Sequence, residues 1–349
     1  MVNNKQKKTV SLSIGLLFII LSFFLSGSFT PAAQQDNWGA PKVQVYKEKG
    51  KWIIKGLKNR IELNPSDLQM TVHTPNHRWS MIPSFSGDLI VENSGELLSL
   101  RLADAGKKEI SSYKTGFKTG TKIALENFVS KDKTLDVQIQ LFICLEGEDE
   151  ELVCELIAAE KNTTVFECFW PGSVADDCFD YTVVPFMQGM LLPKDWAEKV
   201  WLYNTVTYGR GLYMPWWGHQ KGKSAMLVLL ETPEDGGCRF RHPAGGPTKI
   251  ELRWINSLGK LAYPRRVRLC FLENANYVDL AKRYRRYVHQ TGHFVSLKEK
   301  IARNPLVRKL IGSPVVHTSI LYHIQPESSY YHKDDPAKNH QLVSFEKRA

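Results

Sequence analysis

Between Lys42 and Leu272, apolar and polar residues alternate with period two in short runs. Val43 and Val45 alternate with Lys42 and Gln44. Leu68, Met70 and Val72 alternate with Asp67, Gln69 and Thr71, and Leu98, Leu100 and Leu102 with Ser99 and Arg101. The same rhythm carries Leu135, Val137, Ile139 and Leu141, then Ile250, Leu252 and Trp254. Successive side chains of a strand leave opposite faces of its sheet, so each run predicts a strand with one dry face and one wet face. Ala225 to Leu230 is apolar throughout and predicts a central strand. Turn chemistry separates the runs at Asn64-Pro65-Ser66-Asp67, Ser86-Gly87-Asp88, Asn93-Ser94-Gly95 and Pro233-Glu234-Asp235-Gly236-Gly237. No helical period interrupts this region. Roughly 230 residues of strands exceed an immunoglobulin-type sandwich of about 100, which predicts a larger sandwich of two sheets.

The period changes at Asn276. Tyr277, Leu280, Ala281, Tyr284, Tyr287 and Val288 share one face of a helix, and Lys282, Arg283, Arg285 and Arg286 share the other. Gly292 is placed to end it. Ser296 and Glu299 have the spacing of a capping box for a second helix carrying Leu297 and Ile301. Asn304-Pro305 restarts the helix, and Gly312 closes it. Val315 to Leu321 then predicts a short strand, followed by a loop rich in His, Tyr, Asp and Pro and by a helix start at Ser344. A strand, a loop and an opening helix form the first unit of a βα repeat, which the chain leaves incomplete. The expected organisation is a leader over 1–33, a β region over 37–272, a helical linker over 273–312 and a barrel start over 313–349.

Charge follows the same division. Ser257 to Ala349 carries 17 Lys and Arg against 7 Asp and Glu, so the whole net charge of +10 sits there. Lys5, Lys7 and Lys8 precede the apolar run Ile14 to Leu25, then Ser26-Gly27-Ser28 and Pro31-Ala32-Ala33. This is the layout of a secretory signal peptide, and the run falls short of the roughly 20 apolar residues of a membrane span. The expectation is an exported protein, secreted, periplasmic or at the cell surface, with a membrane partner only if the leader stays uncleaved. Cys144, Cys154, Cys168, Cys178, Cys238 and Cys270 show no paired zinc spacing. Buried small hydrophobes is the plainer reading of them, with one or two disulfides the alternative.

Several features suggest chemistry. Met214-Pro215-Trp216-Trp217-Gly218 places adjacent tryptophans on opposite faces of a strand, as packing or as a platform for a sugar ring. The basic residues Arg265, Arg266, Arg268, Lys282, Arg283, Arg285 and Arg286 come with no nucleic-acid motif, and a solvated or docked helix face is expected rather than a nucleic-acid partner. If Val315 to Leu321 opens a (β/α)8 barrel, the Tyr322 to Gln341 loop lies on the face where such barrels bind substrates. His323, Tyr331, His332, Asp334 and Asp335 are therefore the candidate substrate-binding residues. Asp176, Asp177 and Asp180 form a second acidic cluster, too sparse in placed oxygens for calcium. No metal site and no cofactor are expected.

Met214-Pro215-Trp216-Trp217-Gly218, Glu231-Thr232-Pro233-Glu234-Asp235, Trp254-Ile255-Asn256-Ser257-Leu258-Gly259, Tyr263-Pro264-Arg265-Arg266 and Tyr277-Val278-Asp279-Leu280-Ala281-Lys282-Arg283-Tyr284-Arg285 together carry a family resemblance. This stretch resembles the α-N-acetylgalactosaminidase-type enzymes of glycoside hydrolase families 129 and 101. The resemblance implies a mainly β fold: a galactose-mutarotase-like β-supersandwich, then a helical linker and the first βα unit of an incomplete (β/α)8 catalytic barrel. It implies a carbohydrate or glycoprotein glycan as partner and retaining hydrolysis by a carboxylate pair. Those carboxylates lie on later barrel strands in the family, so the catalytic residues are unknown here and the chain alone is expected to be inactive. The alternative is a non-catalytic carbohydrate-binding or structural β-sandwich protein.

Overall fold

The computed structural model describes residues 41–174, 179–186, 189–206, 212–313, 321–323 and 340–342. The expected leader, Asp176, Asp177 and Cys178 lie outside the described residues. The chain divides after Arg286 into two compact units.

The first unit is mainly β. It opens with a five-stranded antiparallel meander, β1 (Gln44–Glu48), β2 (Lys51–Lys55), β3 (Arg60–Leu63), β4 (Met70–His73) and β5 (Arg78–Ser80). A nine-stranded sheet follows in the spatial order β16 (Met190–Pro193), β15 (Tyr181–Val184), β18 (Trp216–Lys221), β19 (Ser224–Leu230), β22 (Arg265–Glu273), β13 (Glu151–Glu160), β12 (Val137–Glu146), β9 (Lys118–Glu126) and β8 (Lys107–Lys114). A six-stranded sheet runs β17 (Val200–Val206), β20 (Gly236–His242), β21 (Lys249–Ile255), β14 (Thr163–Cys168), β6 (Leu89–Asn93) and β7 (Glu96–Leu100). A small pair, β10 (Val129–Ser130) and β11 (Lys133–Thr134), completes the unit. The alternating runs became these strands, and the all-apolar run Ala225 to Leu230 is the wholly buried core of β19, between β18 and β22.

One apolar cluster joins the three larger sheets. Leu141, Ile143, Leu156, Val228 and Leu269 come from the nine-stranded sheet, and Val91, Val165, Phe240, Leu252 and Trp254 from the six-stranded one. Ile54, Ile61, Met70, Val72 and Trp79 add the meander to the same core. Burying each such side chain stabilises by about 1.5–3 kcal/mol. Trp254 is buried without loss because its Nε1 donates to the Trp170 carbonyl at 2.8 Å.

Helix α1 (Tyr277–Gln290) is capped at Asn276, whose Oδ1 accepts from the Val278 amide at 2.8 Å. Its first turns pack on the nine-stranded sheet through Leu280 and Arg283, both buried. Gly218 on β18 permits this approach, since a Cβ there would lie 2.5 Å from Leu280 Cδ1 and 2.8 Å from the Met226 carbonyl. Of the basic face, Arg283 takes the docked alternative: it is buried over Glu151, while Lys282, Arg285 and Arg286 are exposed. Tyr277, expected on the apolar face, is exposed.

The second unit begins within α1. A turn at Gly292 leads to α2 (Leu297–Arg303), which carries the expected capping box: the Glu299 amide donates to Ser296 Oγ, and the Ser296 amide donates to Glu299. Pro305–Leu310 is a 3-10 helix where an α-helix was expected. Beyond it, β23 (Leu321–His323) pairs antiparallel with β24 (His340–Leu342). The expected strand Val315 to Leu321 lies outside the described residues except for Leu321, and the expected helix at Ser344 lies outside them altogether.

Candidate functional site

Among the sequence-predicted site residues, His323 is described as part of the β23 backbone. Tyr331, His332, Asp334 and Asp335 lie outside the described residues. Among the described residues, the first unit holds three polar constellations.

The tryptophan pair is not a platform. Trp216 and Trp217 are both buried, which is the packing alternative of the sequence reading. Trp217 lines the inter-sheet core with Val228 and Leu269, while Trp216 lies on the other face beside Tyr284 of α1, ring centroids 6.0 Å apart. A helix covering the outer face of β18 removes the wet side that simple alternation predicts.

The first constellation is an ion network on the nine-stranded sheet. Arg268 donates to Glu146 at 2.5 Å, Glu231 at 2.6 Å and Glu151 at 3.1 Å. Arg266 reaches Glu146 at 2.6 Å and also pairs with Glu155 and Glu231. Lys118 meets Glu155 at 2.6 Å, and Arg283 meets Glu151 at 2.6 Å. Four cations thus face four carboxylates, so no net charge remains for a ligand. Burial alone would raise the Glu151 pKa, but its hydrogen bonds and charge contact with Arg283, then Arg268, outweigh burial and hold it below the usual range. The cationic excess of the later sequence is therefore partly neutralised by glutamates contributed from earlier strands.

The second constellation centres on Asp235, buried with Arg265. Arg265 Nη2 donates to its Oδ2 at 2.5 Å, and Tyr263 and Ser257 donate their hydroxyls to the same carboxylate. This ties the turn after β19 to the entry of β22 and leaves the carboxylate buried among three donors.

The third is an open cleft of about 320 Å³ where the meander meets the nine-stranded sheet and α1. Lys58, Asn59, Thr74, Pro75, Asp149, Glu151, Phe271, Leu272, Glu273 and Arg286 line it. Two carboxylates fix its walls. Glu150, in the β12–β13 turn, accepts the backbone amides of Leu57, Lys58 and Asn59 at 2.6, 2.7 and 3.0 Å. Gly56 lets that carboxylate in, because a Cβ there would overlap it. On the other wall Glu273 accepts Thr74 Oγ1 at 2.8 Å and Asn76 Nδ2 at 2.9 Å, together with the Ser224 hydroxyl. Burial would raise the Glu273 pKa, but the hydrogen bonds from Ser224, Asn76 and Thr74 outweigh it and keep the group below its ordinary value. At the mouth, Asp149 stands 3.2 Å from Lys58 Nζ and 3.8 Å from Arg286 Nη1. Sequence reasoning missed this cleft, because its lining residues lie far apart along the chain.

Other chemistry is quiet. Cys144, Cys154, Cys168, Cys238 and Cys270 are free and buried. Burial pushes the Cys144 and Cys238 thiols up to about 12, which removes the thiolate needed for nucleophilic or ligand roles. Among the described residues no group of His, Cys, Asp and Glu is arranged to hold a metal ion, and no helix is long and apolar enough to cross a membrane.

No family model matches this chain, and no curated protein does. Solved structures do. The ligand-free α-N-acetylgalactosaminidase NagBb from Bifidobacterium bifidum is similar at 27% identity with a TM-score of 0.69. The same protein in its GalNAc complex and in its Gal-NHAc-DNJ complex is similar at 26% identity with a TM-score of 0.70. Each match covers 87% of this chain and 48% of the other, so the chain spans about half the length of the structures it resembles. The resemblance to α-N-acetylgalactosaminidase-type glycosidases that the sequence motifs imply thus holds for the fold.

Proposed function

We propose that this chain is the N-terminal, non-catalytic portion of an exported retaining glycoside hydrolase acting on α-linked N-acetylgalactosaminide-type glycans. The observation that carries the reading is the match of 87% of the chain to 48% of an α-N-acetylgalactosaminidase. Retaining hydrolysis needs two carboxyl groups about 5–5.5 Å apart across one glycosidic bond, one attacking the anomeric carbon and one protonating the leaving oxygen. The buried carboxylates described in the first unit have partners of their own: Glu151 pairs with Arg283, Asp235 with Arg265, Glu167 with Arg253 and Glu251 with Arg239 and Lys249, while Glu150 and Asp88 accept backbone amides. Export rests on the Lys5, Lys7, Lys8 and Ile14 to Leu25 pattern. The β unit then serves as a rigid scaffold whose α1 leads out toward the catalytic half.

The test is release of nitrophenol from an aryl α-N-acetylgalactosaminide. The chain as it stands is expected to give background rates, and a chain continued to the length of the similar enzymes is expected to turn over. Turnover by the shorter chain, or none by the longer one on any aryl α-glycoside, would overturn the reading.

A further inference from the structure

We propose that the cleft walled by the Lys58–Asn59 and Thr74–Pro75 loops binds a neutral saccharide residue, as a glycan-holding site apart from bond cleavage; the choice of sugar rests on the glycosidase reading. Its volume of about 320 Å³ falls at the small end of the about 300–1,000 Å³ typical of ligand sites, which suits one or two rings. Its charges select against ions. Lys58 and Arg286 balance Asp149 and Glu273, while Glu151 is taken by Arg283 and Arg268. A phosphate would meet two carboxylates, and an amine would meet two cations. A neutral ligand rich in hydroxyls meets donors from Lys58 and Arg286 and acceptors on Asp149 and Glu273.

Glu273 is prepared for that task. Three neutral donors, from Thr74, Asn76 and Ser224, hold its carboxylate in place, leaving roughly one of about four acceptor positions open. Phe271 and Leu272 add apolar surface beside it, the combination that the C–H face of a pyranose requires. The walls do not have to be ordered on binding, because Glu150 and Glu273 already pin both loops from opposite sides. A preorganised site spends less of its interaction energy on ordering. A weak site of this kind tethers a polymeric substrate by raising its effective concentration near a catalytic centre, without any new chemistry.

The experiment titrates the full chain with methyl glycosides of N-acetylgalactosamine, galactose, glucose and mannose, and with inorganic phosphate, followed by ligand-detected NMR. Saturable binding of at least one glycoside is expected, with phosphate failing to displace it. Asp149→Ala and Arg286→Ala, both at exposed positions, are expected to weaken it at least tenfold with unchanged thermal unfolding. Glu273→Gln, which keeps the shape, is expected to weaken it as well. No binding by any glycoside, binding indifferent to Asp149→Ala and Arg286→Ala, or displacement by phosphate would overturn the proposal. Glycosidase activity of the longer chain is scored separately. Activity without cleft binding sinks the cleft alone, and cleft binding without activity sinks the glycosidase reading alone.

Discussion

Arg283 grips Glu151 through both carboxylate oxygens, its Nε and Nη2 each at 2.6 Å, across 132 residues of sequence. This bidentate contact fastens α1 to β13 and turns a residue of a basic helix face into part of the core. Removing one member of a buried pair leaves the other charge stranded, which costs about 3–5 kcal/mol. Arg283→Met and Glu151→Gln are each expected to destabilise by that order in urea unfolding followed by tryptophan fluorescence. Arg283→Met and Glu151→Gln combined are expected to cost less than the sum of the two single changes. Additive losses would mean that the two residues act independently.

Acidification should act through two opposed groups. The Glu146 and Glu151 pKa values are held below the usual 4.5 against burial, by Arg268 and Arg266 for Glu146 and by Arg283 for Glu151. A depressed folded pKa contributes stability that is present above the unfolded value and lost as pH falls through the folded one. Asp88 has the opposite sign: burial raises it from 3.8 to about 6, despite hydrogen bonds from Ser84, Leu102 and Phe85. Its contribution is present below 3.8 and lost as pH rises through about 6. The urea midpoint is therefore expected to rise between about pH 3 and 5, then to sag between about pH 5 and 7. Asp88→Asn should remove the sag while lowering stability throughout. A profile flat from pH 5 to 7 in the parent protein would show that Asp88 does not carry that titration.

The sheets were legible because alternation is local: Ile139, Leu141 and Ile143 announce their own strand whatever packs on it. The capping box at Ser296 was legible for the same reason. The partners of Arg283 and Trp216 were not, since neither period says which distant element covers a face: Glu151 and Tyr284 meet them only in the fold. The cleft was less legible still. Lys58, Thr74, Asp149, Glu273 and Arg286 come from five separate elements of the chain, and only the topology brings them to one place.

Gly56 offers a direct test of the wall. Its missing side chain is what allows the Glu150 carboxylate to reach the Leu57, Lys58 and Asn59 amides. Gly56→Ala must displace either the loop or the carboxylate, and such overpacking costs about 1–3 kcal/mol. The variant is expected to lose that stability and to show faster amide exchange at Leu57 to Asn59. Protection equal to the parent's at those three amides would mean that Glu150 does not hold the loop.

Trp216 separates packing from sugar recognition. Its ring is buried between the nine-stranded sheet and Tyr284, and it does not line the cleft. Truncation of a buried tryptophan removes its apolar burial and leaves a void, at about 3–5 kcal/mol. Trp216→Ala is expected to lower stability by that order and to loosen α1, since the ring and Leu280 together seat the helix against β18. Trp216→Phe, which keeps an aromatic ring against Tyr284, is expected to recover part of the loss. Glycoside affinity of the folded Trp216→Phe protein should match the parent's within about twofold, less than 0.5 kcal/mol. A tenfold loss of affinity with little loss of stability would restore the tryptophan as a sugar platform and displace the cleft from that role.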